Sequence, residues 1–461
     1  MQQLLGLFFG IFLARTLDTH DYGMVGMLAI FSALANTLQE SGFTAALTNK
    51  KDAASDDYNA VFWFNTLMGL GMYGILFFCA PLIAACFGEP ELVPLSRVVF
   101  LGFLISSIGI AHNAILFKEM KVRQTSLISL TALVLSGCTG LTMALCGMGY
   151  WSLAWQNVVF IACLTVLRWR CSDWHPSLPV DFRPLKGMFG FSVRLLLTNL
   201  VNQVNSNLFS VILGRYYTPS DVGHYTQAYK WIGMGQQTVS GMVNSVAQPV
   251  FAQAGDNRER RIRILSKLLR FTSFVSFPAL LGLGFVSREF ILVTIGEKWL
   301  PAVPLMQLLC VFGALWPVLS LYFQVAVSMG RSDLYFWSNL MFGAMQSGIA
   351  CLMFRFGILR MVGAYVCGYI LLLLVWQVLM NRLTGFPHKA FLKGILPYAG
   401  ATLLVIGGMY YATLPIGNTW LLLTAKVIGT ALLYVAVMKV CHSDILDECR
   451  IYFKAKFMSN D

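Results

Sequence analysis

Fourteen apolar segments follow one another along the chain, near residues 3–17, 23–47, 58–86, 92–116, 125–146, 149–167, 188–214, 222–254, 271–295, 302–329, 334–354, 361–381, 394–413 and 418–438. Most match the ~20 residues an α-helix needs to cross a hydrocarbon core of about 30 Å. They are continuous rather than alternating, so the pattern predicts membrane helices and not the strands of a barrel. Short loops join them. The expected fold is an all-α polytopic membrane protein of about fourteen transmembrane helices. The first segment is short: its fifteen residues reach only about 22 Å at ~1.5 Å per residue. That spacing predicts a natural start about a dozen residues upstream of Met1. The first apolar run leads straight into further spans, so no cleavable signal peptide is read there.

An internal repeat organises the segments. LARTLDTHDYGMV (13–25) aligns with LGRYYTPSDVGHY (213–225), so that Leu13, Arg15, Asp21 and Gly23 recur as Leu213, Arg215, Asp221 and Gly223. Further on, VPL (93–95) returns as VPL (303–305), and Gly147 as Gly357. The chain reads as a six-helix bundle over 1–180 with a truncated first helix, a second over 181–383, and an extra helix pair with a tail over 384–461. Six spans separate the repeats, so both begin on the same side of the membrane. Such parallel repeats characterise carriers that rock one half against the other, although gene duplication alone would also leave them. Asp21–Gly23 and Asp221–Gly223 then occupy equivalent turns at the non-cytoplasmic ends of helices. Each Asp can cap the helix that follows, and the four residues form a candidate gate.

Polar positions inside the spans are concentrated in two segments. In RLLLTNLVNQVNSNLFSVILGR (194–215), Asn199, Gln203, Ser206 and Ser210 fall on one helical stripe, with Asn202 beside it and Arg194 and Asn205 in the adjacent row. The following segment repeats the pattern with Lys230, Gln237 and Asn244 at intervals of seven, and with Gln248. Polar faces in a bilayer must look at protein or at water. Two of them predict a central polar cavity lined by Arg194, Asn199, Asn202, Gln203, Asn205, Lys230, Gln237 and Asn244. The competing explanation is that the amides bond across helices as glue, worth under about 2 kcal/mol each. Elsewhere, Arg97 can snorkel to an interface, His112 reads as a helix contact, and Lys426 lies outside the repeat as a structural residue. Glu40 stands as the carboxylate well inside a span and a candidate for a coupling ion.

Composition and charge narrow the class. Only 12% of residues are charged and 57% are hydrophobic, with a mean hydropathy of +0.67, where soluble domains carry about 25% charged residues. The net charge of +12 is unevenly placed. Of the 33 Lys and Arg, only Arg15, Arg215, Arg288, Lys298, Arg355 and Arg360 fall in one alternate set of loops, and most of the others fall in the opposite set. The positive-inside rule then puts both termini in the cytoplasm. The run RERRIRILSKLLR (258–270) reads as a cytoplasmic anchor on anionic headgroups rather than a nucleic-acid site. Eleven scattered cysteines form no CxxC pair, which offers no disulfide framework or metal site. No GxxxxGK[ST] or HExxH occurs and no cofactor is implied, so an enzyme is disfavoured.

FLARTLDTHDYGMVGMLAIF (12–31), ESGFTAALTNKKD (40–52), GYWSLAWQ (149–156), GEKWLPAVPLMQ (296–307) and MGRSDLYF (329–336) together carry a resemblance over nearly the whole chain. The sequence resembles the polysaccharide flippases of the multidrug/oligosaccharidyl-lipid/polysaccharide exporter superfamily, particularly the colanic-acid-exporter-like branch. The resemblance implies a bacterial inner-membrane exporter that flips an undecaprenyl-pyrophosphate-linked oligosaccharide by alternating access for surface polysaccharide biosynthesis. It implies a cationic lumen for the anionic headgroup, which Arg194 and Lys230 suit, and association with a polymerase and glycosyltransferases. A cation-coupled drug antiporter of the same superfamily would need acidic lumen residues, where this chain offers Glu40. A non-transporting scaffold of a glycan-assembly complex would need no polar lumen.

Overall fold

The computed structural model describes residues 2–40, 47, 54–178, 180–254, 257–441 and 445–446; the side chains of 4, 39–40, 184, 186–195, 198, 246, 248–249, 252–254 and 332 lie outside that description. Among the described residues the fold is all-helical. The long helices are α1 (Gln2–Thr16), α2 (Thr19–Glu40), α3 (Ser55–Phe87), α4 (Leu92–Lys118), α5 (Val122–Leu145), α6 (Trp151–Cys171), α7 (Arg183–Tyr216), α8 (Pro219–Ala254) and α9 (Arg258–Phe285). A short α10 (Ser287–Thr294) precedes α11 (Ala302–Ser328), α12 (Ser332–Met353), α13 (Ile358–Thr384), α14 (His388–Thr413) and α15 (Thr419–Val440). Among the described residues, nine helices (α3–α6, α9, α11 and α13–α15) are long and apolar enough to cross a membrane. The short α1, and α2, α7, α8 and α12, complete the fourteen expected segments.

The apolar pattern breaks down at one place. Segment 271–295, expected as a single span, divides at Val286 into the end of α9 and the separate α10. The basic run 258–270 is not a loop but the first half of α9, which at 28 residues extends about 42 Å at ~1.5 Å per residue and so outreaches the bilayer core. Its start is set by Asn257, whose side chain accepts from Arg260 N at 3.0 Å. Arg258 points the other way and donates from Nε to Thr384 O at 2.9 Å, satisfying a carbonyl at the end of α13. Gly385 closes that end with φ +77, and a Cβ there would lie 2.0 Å from Arg258 Nη2. Only glycine meets both demands.

The chain separates into two compact units, Met1–Thr226 and Gln227–Asp461. In the first, α3 packs on α4, α5 on α6, α4 on α6, and α7 on α2. Small residues let these helices approach: Gly137 faces the Phe9 ring, and Gly214 faces Phe87 and Met27. His112, fully buried, stacks on Trp169 with ring centroids 4.4 Å apart, so the expected helix contact is an aromatic one. Arg97 lays its guanidinium 4.2 Å over the Phe77 ring. In the second unit α9 packs on α11 and α14, α11 on α13, and α15 on α14, α10 and α9.

Helix ends follow the repeat. α1 ends at Thr16 and α7 at Tyr216; α2 begins at Thr19 and α8 at Pro219. Leu17 N and Tyr217 N each bond back to the carbonyl of Leu13 or Leu213 at 2.8 Å. Gly147 and Gly357 both carry a positive φ, at +76 and +95.

Candidate functional site

The two repeated Asp-x-Gly turns meet. Asp21 Oδ2 accepts from Asp18 N at 2.9 Å, and Asp221 Oδ2 accepts from Thr218 N at 3.2 Å and from Thr218 Oγ1 at 2.8 Å. Asp221 N returns a bond to Thr218 Oγ1 at 3.3 Å. Each carboxylate therefore sits in the first helical turn and reaches back to the residue before it, the reciprocal arm of a capping box. The start of α2 lies directly against the start of α8. A Cβ on Gly23 would fall 1.7 Å from Pro219 O, and one on Gly223 would fall 2.1 Å from Thr19 O. Thr19 Oγ1 and Ser220 Oγ share a hydrogen bond of 3.0 Å across the junction. Asp21 also touches the 149–156 motif, since a Cβ on Gly149 would lie 2.9 Å from its Oδ1.

α7 and α8 are the longest helices, at 34 and 36 residues, and carry the amide-rich faces. On α7 the side chain of Arg194 lies outside the described residues. Asn199 is exposed, Asn202 and Gln203 are half-buried, and Asn205 is buried. Ser206 Oγ donates to Asn202 O at 2.9 Å and Asn207 Nδ2 to Gln203 O at 3.0 Å, so these two fold back onto their own helix. On α8, Lys230 and Asn244 are half-buried and Gln237 is exposed. Their sevenfold spacing puts all three on one helical face. Asn244 Oδ1 accepts from Ser320 Oγ on α11 at 3.2 Å, a bond of the helix-glue kind. The side chain of Glu40 lies outside the described residues.

One charged site was not foreseen. Lys426 Nζ bonds Glu289 Oε1 at 2.8 Å, with both side chains about nine-tenths buried, and sits 4.6 Å over the Phe285 ring. Glu289 belongs to α10, within segment 271–295. Glu40 is therefore not the sole carboxylate to consider. The signal available was a lone lysine in an apolar helix, which requires a partner.

Residues 12–304 match the family described as polysaccharide biosynthesis protein. The teichuronic acid biosynthesis protein TuaB of Bacillus subtilis (strain 168) is 29% identical over 69% of this chain and 68% of its own length. The lipopolysaccharide biosynthesis protein WzxC of Escherichia coli (strain K12) is 26% identical over 73% of this chain and 69% of its own. Among solved structures, the lipid II flippase MurJ in an inward closed conformation superposes with a TM-score of 0.77. That match has 14% identity over 96% of this chain and 98% of that one, and it shows a shared fold.

Proposed function

The chain belongs to the polysaccharide biosynthesis protein family, and from that premise we propose that it is a flippase moving a polyprenyl-pyrophosphate-linked oligosaccharide across the bacterial inner membrane by alternating access. The observation that carries this reading is the pair α7 and α8, long helices with runs of amides inside an otherwise apolar chain. A sugar chain bearing a pyrophosphate cannot enter hydrocarbon without groups that replace its hydration. Amides donate and accept, as sugar hydroxyls require, and cations match the pyrophosphate. Arg194, Asn199, Asn202, Gln203 and Asn205, with Lys230, Gln237 and Asn244, line the headgroup path in this reading. Asn244 exchanges its bond to Ser320 for one to the substrate.

The working halves are 1–180 and 181–383, with 384–461 as an accessory pair, and the repeat offsets support that division. Both termini lie in the cytoplasm, as the loop charges favour. The Asp21–Gly23 and Asp221–Gly223 turns form the gate on the opposite side. Glu40 is the candidate for a coupling ion, and the polymerase and glycosyltransferases of the same glycan are the expected partners.

The test is flipping of lipid-linked oligosaccharide beside thermal stability in detergent. Arg194→Lys retains part of the activity, and Arg194→Glu abolishes it at normal abundance. Asn202→Leu and Asn205→Leu impair flipping while the Ser variants are milder. Parallel loss of stability and flipping across the set would leave the amides as helix glue.

A further inference from the structure

α11 is mostly buried, but its second half has one open side. Ser320, Phe323 and Gln324 follow Trp316 at intervals of four, seven and eight residues, which sets all four on that side. Val318, Leu319, Leu321 and Tyr322 behind them are fully buried. Trp316, Phe323 and Gln324 are half-buried. Ser320 Oγ donates to Asn244 Oδ1 of α8 at 3.2 Å. Earlier along both helices, a Cβ on Gly313 would lie 2.8 Å from Ile232 Cγ2. Gln237 and Trp316 fall between these two contacts. The open side of α11 therefore adjoins the amide face of α8. A side turned to lipid would carry neither Ser320 nor Gln324, because polar groups in hydrocarbon need partners.

The indole of Trp316 is held from α13. It stacks on Tyr369 with ring planes 24° apart and centroids 6.2 Å apart, and it leans on Phe312 at 5.9 Å. Tyr369 is fully buried and meets Phe312 edge-on at 4.6 Å. The ring is thus fixed on one flank and open on the other. A tryptophan that merely fills a core usually gives its N–H to an acceptor. Among the described residues none accepts from Trp316 Nε1, and none bonds the Gln324 amide.

We propose that Trp316 is a stacking platform for a pyranose ring of the transported glycan, with Asn244 and Gln324 bonding the hydroxyls at its rim. The inference rests on the flippase reading and adds α11 to the helices assigned to the headgroup path. A pyranose has an apolar face of C–H groups and a polar rim of hydroxyls. Laid on the indole it buries the face, while the amides donate to and accept from the rim. Holding the indole against Tyr369 beforehand spares rotamer entropy that binding would otherwise lose. The indole meets the C–H face and not the substituents, so a single N-acetylglucosamine serves as the probe.

The purified protein, in a sugar-free detergent, is titrated with undecaprenyl diphosphate and with undecaprenyl diphosphate N-acetylglucosamine. Native mass spectrometry reads both affinities beside the thermal midpoint. The glycosylated lipid is expected to bind more tightly. An aromatic contact is worth roughly twofold to tenfold in affinity, and Trp316→Leu should erase a preference of about that size. Trp316→Phe keeps a smaller ring and should retain part of the preference, and Gln324→Leu should narrow it. Equal weakening of both lipids in Trp316→Leu would make the residue a packing element and overturn the proposal. A preference that survives in that variant would overturn it too, as would its absence from the unsubstituted protein. Should Trp316→Leu not fold, Trp316→Phe decides, and an undiminished preference there overturns the platform. Failure of the unsubstituted protein to bind either lipid would bring down the flippase reading as well.

Discussion

At the scale of single residues, Gly23 and Gly223 are constrained by space and not by dihedral angle. Each lies within a helix where alanine would ordinarily be preferred. The atom a Cβ would strike is a backbone carbonyl oxygen, which cannot rotate away. Gly223→Ala should therefore force the starts of α2 and α8 apart and lower flipping while headgroup binding persists. Asp221→Ala acts on the same junction more gently, removing a cap worth about 1 kcal/mol, or roughly a fivefold shift in the equilibrium of the proposed gate. A comparable fall in binding for either variant would place the turn in the substrate site. The Glu289–Lys426 pair makes a different prediction. Lys426→Met alone strands a buried carboxylate and should cost about 3–5 kcal/mol, whereas the Glu289→Leu/Lys426→Met double variant should be near neutral. Thermal unfolding of the two singles and the double reads the difference. The sequence exposed the repeated Asp and Gly and the lone lysine. It concealed their partners, because Pro219 O, Thr19 O and Glu289 reach them through packing that no spacing rule encodes.

At the scale of helices, α9 shows how an interruption is repaired from outside. Pro278 has no N–H to give Phe274 O, the acceptor one turn before it. Tyr434 of α15 supplies the missing donor. In hydrocarbon an unmet carbonyl is costly, so Tyr434→Phe should destabilise the protein by about 1–3 kcal/mol. In a Pro278→Ala background the helix meets its own carbonyl, and the same Tyr434→Phe change should cost much less. A double-mutant cycle that returns no coupling would mean that the hydroxyl serves another purpose. Helix existence was legible almost throughout, since apolar runs of this length permit little else. The least legible stretch was 271–295, where Ser287, Arg288 and Glu289 interrupt the apolar pattern just after the turn at Val286 and apolar residues resume at once. Three polar residues are too few to divide an apolar run by hydropathy alone, and the partner that buries Glu289 is Lys426, 137 residues away.

At the scale of the whole molecule, the proposed alternating-access cycle has the junction of α2 and α8 open. Thr19 Oγ1 and Ser220 Oγ lie 3.0 Å apart, close enough for cysteines at both positions to join. In a background without native cysteines, Thr19→Cys/Ser220→Cys should cross-link under mild oxidant, halt flipping, and recover on reduction. Transport undiminished by the cross-link would show that this end stays shut throughout the cycle. The junction has one more property. Thr19 and Gly23 of the first repeat correspond to Pro219 and Gly223 of the second, and each glycine receives the carbonyl of the other's counterpart. Both halves of the contact are thus written in a single copy of the turn, the self-complementarity of a twofold homodimer interface. A six-helix chain of half this length would already possess everything the junction needs, and fusing two copies end to end would preserve it.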